Sequence, residues 1–266
     1  MAGEHRFIDT LGSGIQTFIP GGVQADGGIS AADSNHIIER FDCEPLCVKK
    51  TGAGAATGTA GDENLCKLNN CTFEYHVLGT QTIVAPGLGT YGLNIVQDET
   101  ENDGVEYCLG ISSLNKGVFT VGTDAAFFAR MKFYIDDVSG TDDCAFGFRK
   151  VEAYQANIDD YDEMACMNVI SGDIKIETIL NGGATTTTDT TLNWADGAIH
   201  ELEVLVSAAG VVTYKVDGVP PITTAEFTFD DAEVIVPFFY QLAAADPEAA
   251  AVELIEFECG LQSERR

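Results

Sequence analysis

Asn193-Trp194-Ala195-Asp196-Gly197-Ala198-Ile199-His200 runs on through Glu201-Leu202-Glu203-Val204-Leu205-Val206. After Ser207-Ala208-Ala209-Gly210 it continues through Val211-Val212-Thr213-Tyr214-Lys215-Val216-Asp217-Gly218. This stretch decides the fold. Leu202, Val204 and Val206 fall on one side of a period-two pattern, and Val212, Tyr214 and Val216 repeat it after the short Gly-containing loop. Strict alternation on both sides of a tight connection predicts a β-hairpin with one buried face. The stretch also holds the chain's single tryptophan. Trp194 beside a turn is read first as a core plug and second as a ring that stacks on a sugar.

Working outward, the same alternation recurs. Phe73, Tyr75 and Val77 alternate with Glu74 and His76; Phe127, Ala129, Met131, Phe133 and Ile135 alternate with Phe128, Arg130, Lys132 and Tyr134. Further series run through Cys144, Phe146 and Phe148, through Ile174, Ile176, Thr178 and Leu180, and through Val234, Val236, Phe238 and Tyr240. Ile255, Phe257 and Cys259 close the set. Many short strands separated by Gly-, Asn- and Asp-rich turns predict an all-β antiparallel sandwich or jelly roll over residues 72–266. Pro237 within a strand pattern predicts an edge or a bulge. Residues 1–71 lack sustained alternation and are read as an extended, irregular N-terminal arm. Within it, Ser30 before His36–Phe41 suggests a short capped helix, and Thr51–Gly61 is a Gly/Ala-rich loop.

The pattern W-x-D-G-x-x-H, strand, short turn, strand, D-G resembles laminin-G-like and other concanavalin A-like sandwich domains. Those domains include lectins, glucanases, adhesins and viral shell proteins, so the resemblance implies a fold and leaves the function open. The running text of Val121–Phe127, Asp137–Lys150, Glu152–Met164 and Asn168–Leu180 resembles a structural protein of tailed phages of marine bacteria. That resemblance implies a virion component: a capsid decoration or cement protein bound to the major capsid protein, homo-oligomeric and taken here as a trimer, made in the host cytoplasm and displayed on the capsid surface. The alternative is a lectin-like adhesin of a phage head or tail fibre that binds host glycans.

Charge narrows the partners. Forty-two acidic residues against fourteen basic ones give a formal net charge of −28. Nucleic-acid binding needs a basic footprint that releases phosphate counterions, so no nucleic acid is expected. Anionic membrane surfaces are disfavoured for the same reason, and no run of about 20 apolar residues suggests a membrane span. Met1–Thr17 carries no apolar signal-peptide core.

The cysteines are the first candidate site. Cys43, Cys47, Cys66 and Cys71 flank the Gly/Ala loop as a C-x3-C and a C-x4-C pair. Three readings stay open: disulfides that clamp the loop base, at roughly 3 kcal/mol each in the chain-entropy model; a structural Zn2+ site, with looser spacing than a C-x2-C knuckle; or free thiols packed as small hydrophobes. Cys108, Cys144, Cys166 and Cys259 fall in strand patterns and are expected as core thiols. Asp98, Asn102 and Asp103 form a near miss to a Ca2+ loop, and Asp159, Asp160 and Asp162 form a second acidic cluster. A solvated acidic turn is the plainer reading of both. Glycosidases of this fold carry E-x-D-x-x-E on one strand, and no such string occurs here, so no catalytic residue and no enzyme is expected. His200 belongs to the hairpin pattern and is expected to pack or hydrogen-bond at the strand start.

Overall fold

Alternating apolar residues do form the strands they predict. The computed structural model describes residues 36–42, 46–49, 63–68, 72–79, 87–95, 101–110, 117–244 and 251–264, of which 46–49 and 63–67 are described as backbone strands. Two antiparallel sheets face each other. The first runs in the order β15 (Val212–Val216), β14 (Ala198–Val206), β9 (Phe127–Ile135), β17 (Val252–Leu261), β6 (Leu93–Asn94) and β5 (Gly87–Leu88), and β1 (Ile37–Arg40) adds to β17. The second runs β13 (Thr186–Asn193), β12 (Asp173–Ile179), β11 (Met164–Ile170), β10 (Thr141–Lys150), β16 (Val234–Ala243), β7 (Gly104–Cys108), β4 (Thr72–Leu78), β3 (Glu63–Lys67) and β2 (Leu46–Lys49), and β8 (Phe119–Thr120) adds to β16. This is the concanavalin A-like jelly-roll sandwich. No helix among the described residues is long and apolar enough to cross a membrane.

The main core lies between the sheets. Phe127, Ala129, Met131, Phe133 and Ile135 of β9 meet Phe146 and Phe148 of β10, Phe239 of β16 and Phe257 of β17, all fully buried. Phe133 and Phe239 contact edge to face at 5.2 Å, and Phe119 stacks on Phe127 at 4.4 Å. A second, smaller core covers the opposite face of the ten-stranded sheet. There Ile158 and Tyr161, from the segment between β10 and β11, pack on Met164, Cys166, Phe238 and Tyr240. Both faces of β16 are therefore buried, which explains its nearly unbroken apolar sequence.

Each residue of the Trp194 pattern has a structural task. Trp194 is only 2% exposed; its ring stacks on Phe133 at 4.4 Å and its Nε1 donates to the Ala198 carbonyl. Asp196 Oδ1 accepts from the Val138 amide, and Gly197 holds a φ of +68°. His200 lies edge-on to Trp194 and pairs through Nδ1 with Asp217 Oδ2 at 2.7 Å, while the Glu201 amide donates to Asp217 Oδ1. The hairpin registers Leu202 with Val216 and Val206 with Val212, as the alternation requires.

Several local expectations are corrected. The short helix at 36–41 is instead strand β1, paired antiparallel from Ile37–Cys259 to Arg40–Glu256. Two adjacent β-branched residues beside the free edge of β17 favour pairing over an isolated turn of helix. Within the N-terminal 71 residues, β1, β2 and β3 are sheet strands, and the boundary at residue 71 falls between the paired strands β3 and β4. Pro237 sits in a central strand rather than at an edge. Its carbonyl accepts from the Leu109 amide, so its nitrogen faces the same side. On that side the partner of β16 changes from β8, at Val234–Ile235, to β7, at Phe238–Leu242. The missing N–H falls in that gap and the ladder to β10 is intact. In β17 a register shift between Leu254 and Glu256 makes Ile255 the bulged residue, so Leu254 joins Phe257 and Cys259 in the core.

Candidate functional site

Among the described residues, an exposed aromatic surface lies at one end of the seven-stranded sheet. Tyr134 is on the outward face of β9, opposite Glu253 of β17. Tyr91, in the turn joining β5 to β6, packs against it with ring centroids 4.5 Å apart and planes at 41°. Tyr91 is 51% exposed and Leu88 beside it is 46% exposed. The Tyr134 hydroxyl donates to Asp136 Oδ1 at 2.6 Å, and that bond pushes its pKa up to about 12. Asp136 is itself exposed.

The turn that carries Tyr91 is fixed by one carboxylate. Glu253, 4% exposed, accepts from the backbone amides of Thr90 at 3.0 Å, Tyr91 at 2.5 Å and Gly92 at 3.0 Å. Gly89 closes the turn by donating to the Gly92 carbonyl. A Cβ on Gly92 would lie 1.9 Å from the Leu254 carbonyl oxygen, so only glycine lets the turn approach β17 this closely. The arrangement is a rigid aromatic ledge: an accessible phenol ring, a second ring behind it, and a carboxylate at its side. Aromatic faces attract the polarised C–H bonds of a sugar ring, and a carboxylate accepts from sugar hydroxyls.

The outward face of the ten-stranded sheet is also polar, but it is sealed. Arg149 (2% exposed) donates from Nε to Glu106 Oε1 at 2.6 Å and from Nη1 to the Lys150 carbonyl. The Tyr161 hydroxyl donates to the other Glu106 oxygen. The guanidinium lies 4.7 Å from the Tyr161 ring centroid and 5.3 Å from that of Tyr154. Burial raises the Glu106 pKa, opposed by Arg149 and by Tyr161. Farther along this face, Asn168 Nδ2 donates to Asp143 Oδ1 at 2.7 Å and to Glu177 Oε2 at 2.9 Å, while its Oδ1 accepts from the Cys144 amide. Burial, with Glu177 adding repulsion, pushes Asp143 up to about 6 against the Asn168 hydrogen bond. Asn168 fills the space between these two carboxylates.

Most sequence-predicted site residues do not assemble into a site. Trp194 is buried, so its faces are closed to a sugar and the stacking role is withdrawn. Asp162 is engaged by Lys150 Nζ at 2.7 Å and Asp159 accepts from Thr185 Oγ1 at 2.6 Å, while Asp160 closes the same exposed turn. Asn102 adopts a φ of +63° and donates its amide to the Ala243 carbonyl; Asp103 beside it is buried. Asp98 lies outside the described residues. Among the described residues no group of three or more His, Cys, Asp or Glu side chains could hold a metal ion. Cys43 and Cys71 also lie outside the described residues, while Cys47 and Cys66 are in β2 and β3. Cys108, Cys144, Cys166 and Cys259 are buried thiols outside any disulfide. Burial pushes the Cys108 thiol up to about 12.

Sequence reading missed the ledge. By sequence Tyr134 is the outward residue of an alternating strand, and Tyr91 lies in no strand pattern at all. The signal was there in Gly87-Leu88-Gly89-Thr90-Tyr91-Gly92, a glycine-rich turn that displays one aromatic residue.

No family model and no curated protein sequence matches the chain. Among solved structures, the carbohydrate recognition domain of Emp47p aligns with a TM-score of 0.50 at 13% identity, over 70% of this chain and 88% of that one. The corresponding domain of Emp46p in a potassium-bound form aligns with a TM-score of 0.48 at 6% identity, over 70% and 88%. An alginate lyase from Corynebacterium sp. aligns with a TM-score of 0.40 at 8% identity, over 71% and 74%. The likeness to the Emp47p domain is one of fold.

Proposed function

We propose that this chain is a lectin-like, non-enzymatic carbohydrate-binding sandwich that takes a glycan on the Tyr91–Tyr134–Asp136 ledge. The observation that carries this reading is the half-exposed Tyr91 ring, held against Tyr134 by a turn whose three amides are fixed on Glu253. A pre-organised ring binds without a large ordering cost. The fold shared with a carbohydrate recognition domain supports the same class of ligand. With a net charge of −28, a neutral glycan is favoured over a polyanionic one. The non-enzymatic part rests on Asn168, which bonds to both Asp143 and Glu177 and leaves no room for a sugar between them. Binding on this ledge needs no Ca2+ or Zn2+.

The test is a glycan array with the folded protein, followed by titration of the best neutral hit in the presence and absence of a chelator. An aromatic contact of about 1 kcal/mol gives a roughly 5-fold loss for Tyr91→Ala. Unchanged affinity in Tyr91→Ala, or complete loss on chelation, contradicts the proposal.

The setting we propose is a phage particle, with the chain as an adhesin of a head or tail fibre. A second reading, capsid decoration, has the chain bridge major capsid protein subunits as a homo-oligomer, a trimer in its simplest form, displayed on the virion surface after synthesis in the host cytoplasm. The running text of residues 121–180 supports a virion setting. Val219 (65% exposed) and Ile222 (98% exposed), on the loop after β15, support a protein contact. Cryo-electron microscopy of particles separates the two: density on the shell favours decoration, and density confined to fibres favours the adhesin.

A further inference from the structure

We propose that Cys47 and Cys66 form a disulfide that staples β2 to β3. The register of these antiparallel strands runs Leu46–Lys67, Cys47–Cys66, Val48–Leu65 and Lys49–Asn64, so the two cysteines are direct partners across the ladder. Directly opposed residues in an antiparallel pair share a face, with Cα atoms about 4.5–5.5 Å apart. A disulfide spans Cα separations of about 4.4–6.8 Å. The register thus supplies the Cα spacing that a disulfide needs.

The next strand places this pair in the sandwich. Cys66 is itself registered with Phe73 of β4, and Phe73 is fully buried in the main core. Cys47, Cys66 and Phe73 therefore occupy one register row across β2, β3 and β4. Among the described strands no other two cysteines are register partners. Cys108 stands opposite Phe238 and Glu74, Cys144 opposite Gln241, Cys166 opposite Gly147 and Glu177, and Cys259 opposite Ile37 and Ala129. The assignment is thus specific to one pair, and it separates Cys47 and Cys66 from the four-thiolate reading of Cys43, Cys47, Cys66 and Cys71.

The oxidant is a small-molecule disulfide. One cysteine thiolate attacks a sulfur of that disulfide and displaces a thiolate, giving a mixed disulfide. The second cysteine thiolate then attacks the protein sulfur and displaces the other small thiolate. Two protein S–H bonds are lost and one S–S bond forms; the incoming disulfide is reduced to two thiols, which carry the two protons.

The full chain is incubated with oxidised glutathione, its remaining thiols are blocked under denaturing conditions, and it is digested without reduction. Trypsin cuts after Lys49 and Lys67, and chymotrypsin cuts after Leu46, so Cys43, Cys47, Cys66 and Cys71 fall on different peptides. The expected result is one linked pair joining the Cys47 and Cys66 peptides, two hydrogens lighter than their sum and separated by reduction. Blocked thiols at both positions, or linkage of either to Cys43 or Cys71 instead, overturn the proposal. So does a stoichiometric zinc ion that protects all four cysteines until chelated. Cys47→Ser, Cys66→Ser and the double variant give an independent reading on wild-type-like protein. Under oxidising conditions the three should share one melting temperature, below that of the wild type, and the difference should shrink under reduction. A double variant that loses the sum of the two single effects contradicts the staple.

Discussion

Asp143→Asn should make this protein more stable at neutral pH, and by an amount that depends on pH. Asp143 is held on a sheet face beside Glu177 and linked to it through Asn168 Nδ2. Its pKa rises from the ordinary 3.8 to about 6, chiefly because burial penalises the carboxylate. A raised carboxyl pKa means that the folded protein binds this proton more tightly than the unfolded chain does. The stabilisation is therefore fully present below pH 3.8 and is lost as the pH rises through about 6. At pH 8 the ionised side chain forgoes roughly 3 kcal/mol relative to a neutral one. The asparagine is neutral at every pH, and its Oδ1 can still accept from Asn168. The variant should exceed the wild type by up to ~3 kcal/mol at pH 8, falling to about half of that at pH 5. Urea unfolding followed by circular dichroism at both values measures the difference directly, and both lie above the sequence pI of about 4.1. A variant that is less stable at pH 8, or a difference that does not change with pH, refutes the reasoning.

Trp194→Ala should cost about 3–5 kcal/mol in the same assay, because it removes the ring stacked on Phe133 and leaves a cavity. A loss below about 1 kcal/mol would mean that Trp194 is not the core plug described. The Arg149–Glu106 pair should respond asymmetrically. Glu106→Gln strands a guanidinium that cannot deprotonate, costing about 3–5 kcal/mol. Arg149→Met should cost less, and less at pH 5 than at pH 8, because burial already pushes Glu106 toward its neutral form. Equal losses that are independent of pH contradict that assignment.

Much of the sandwich was legible because its strands bury one face. The alternation in Phe127–Ile135 and in Leu202–Val216 maps directly onto β9, β14 and β15. The pattern blurs where both faces are covered, as in β16, and where a bulge shifts the phase, as at Ile255. It fails at β1, whose four residues become a strand only because β17 offers an edge more than 200 positions away. The candidate site was not legible for the same reason of distance. Glu253 fixes a turn 161 to 163 residues earlier in the chain, and nothing local to either segment announces the other. Trp194, the most conspicuous aromatic in the sequence, proved architectural, while the modest Tyr91 carries the exposed ring. His200 and Asp217 are legible as parts of the hairpin because both lie within it.

The carbohydrate-binding claim is tested most directly by a crystal structure of the protein with a neutral oligosaccharide selected on the array. The expected density places a sugar ring against the exposed face of Tyr91, with a hydroxyl hydrogen-bonded to Asp136. A glycan seated elsewhere on the sandwich, with the Tyr91–Tyr134 ledge bare, would contradict it.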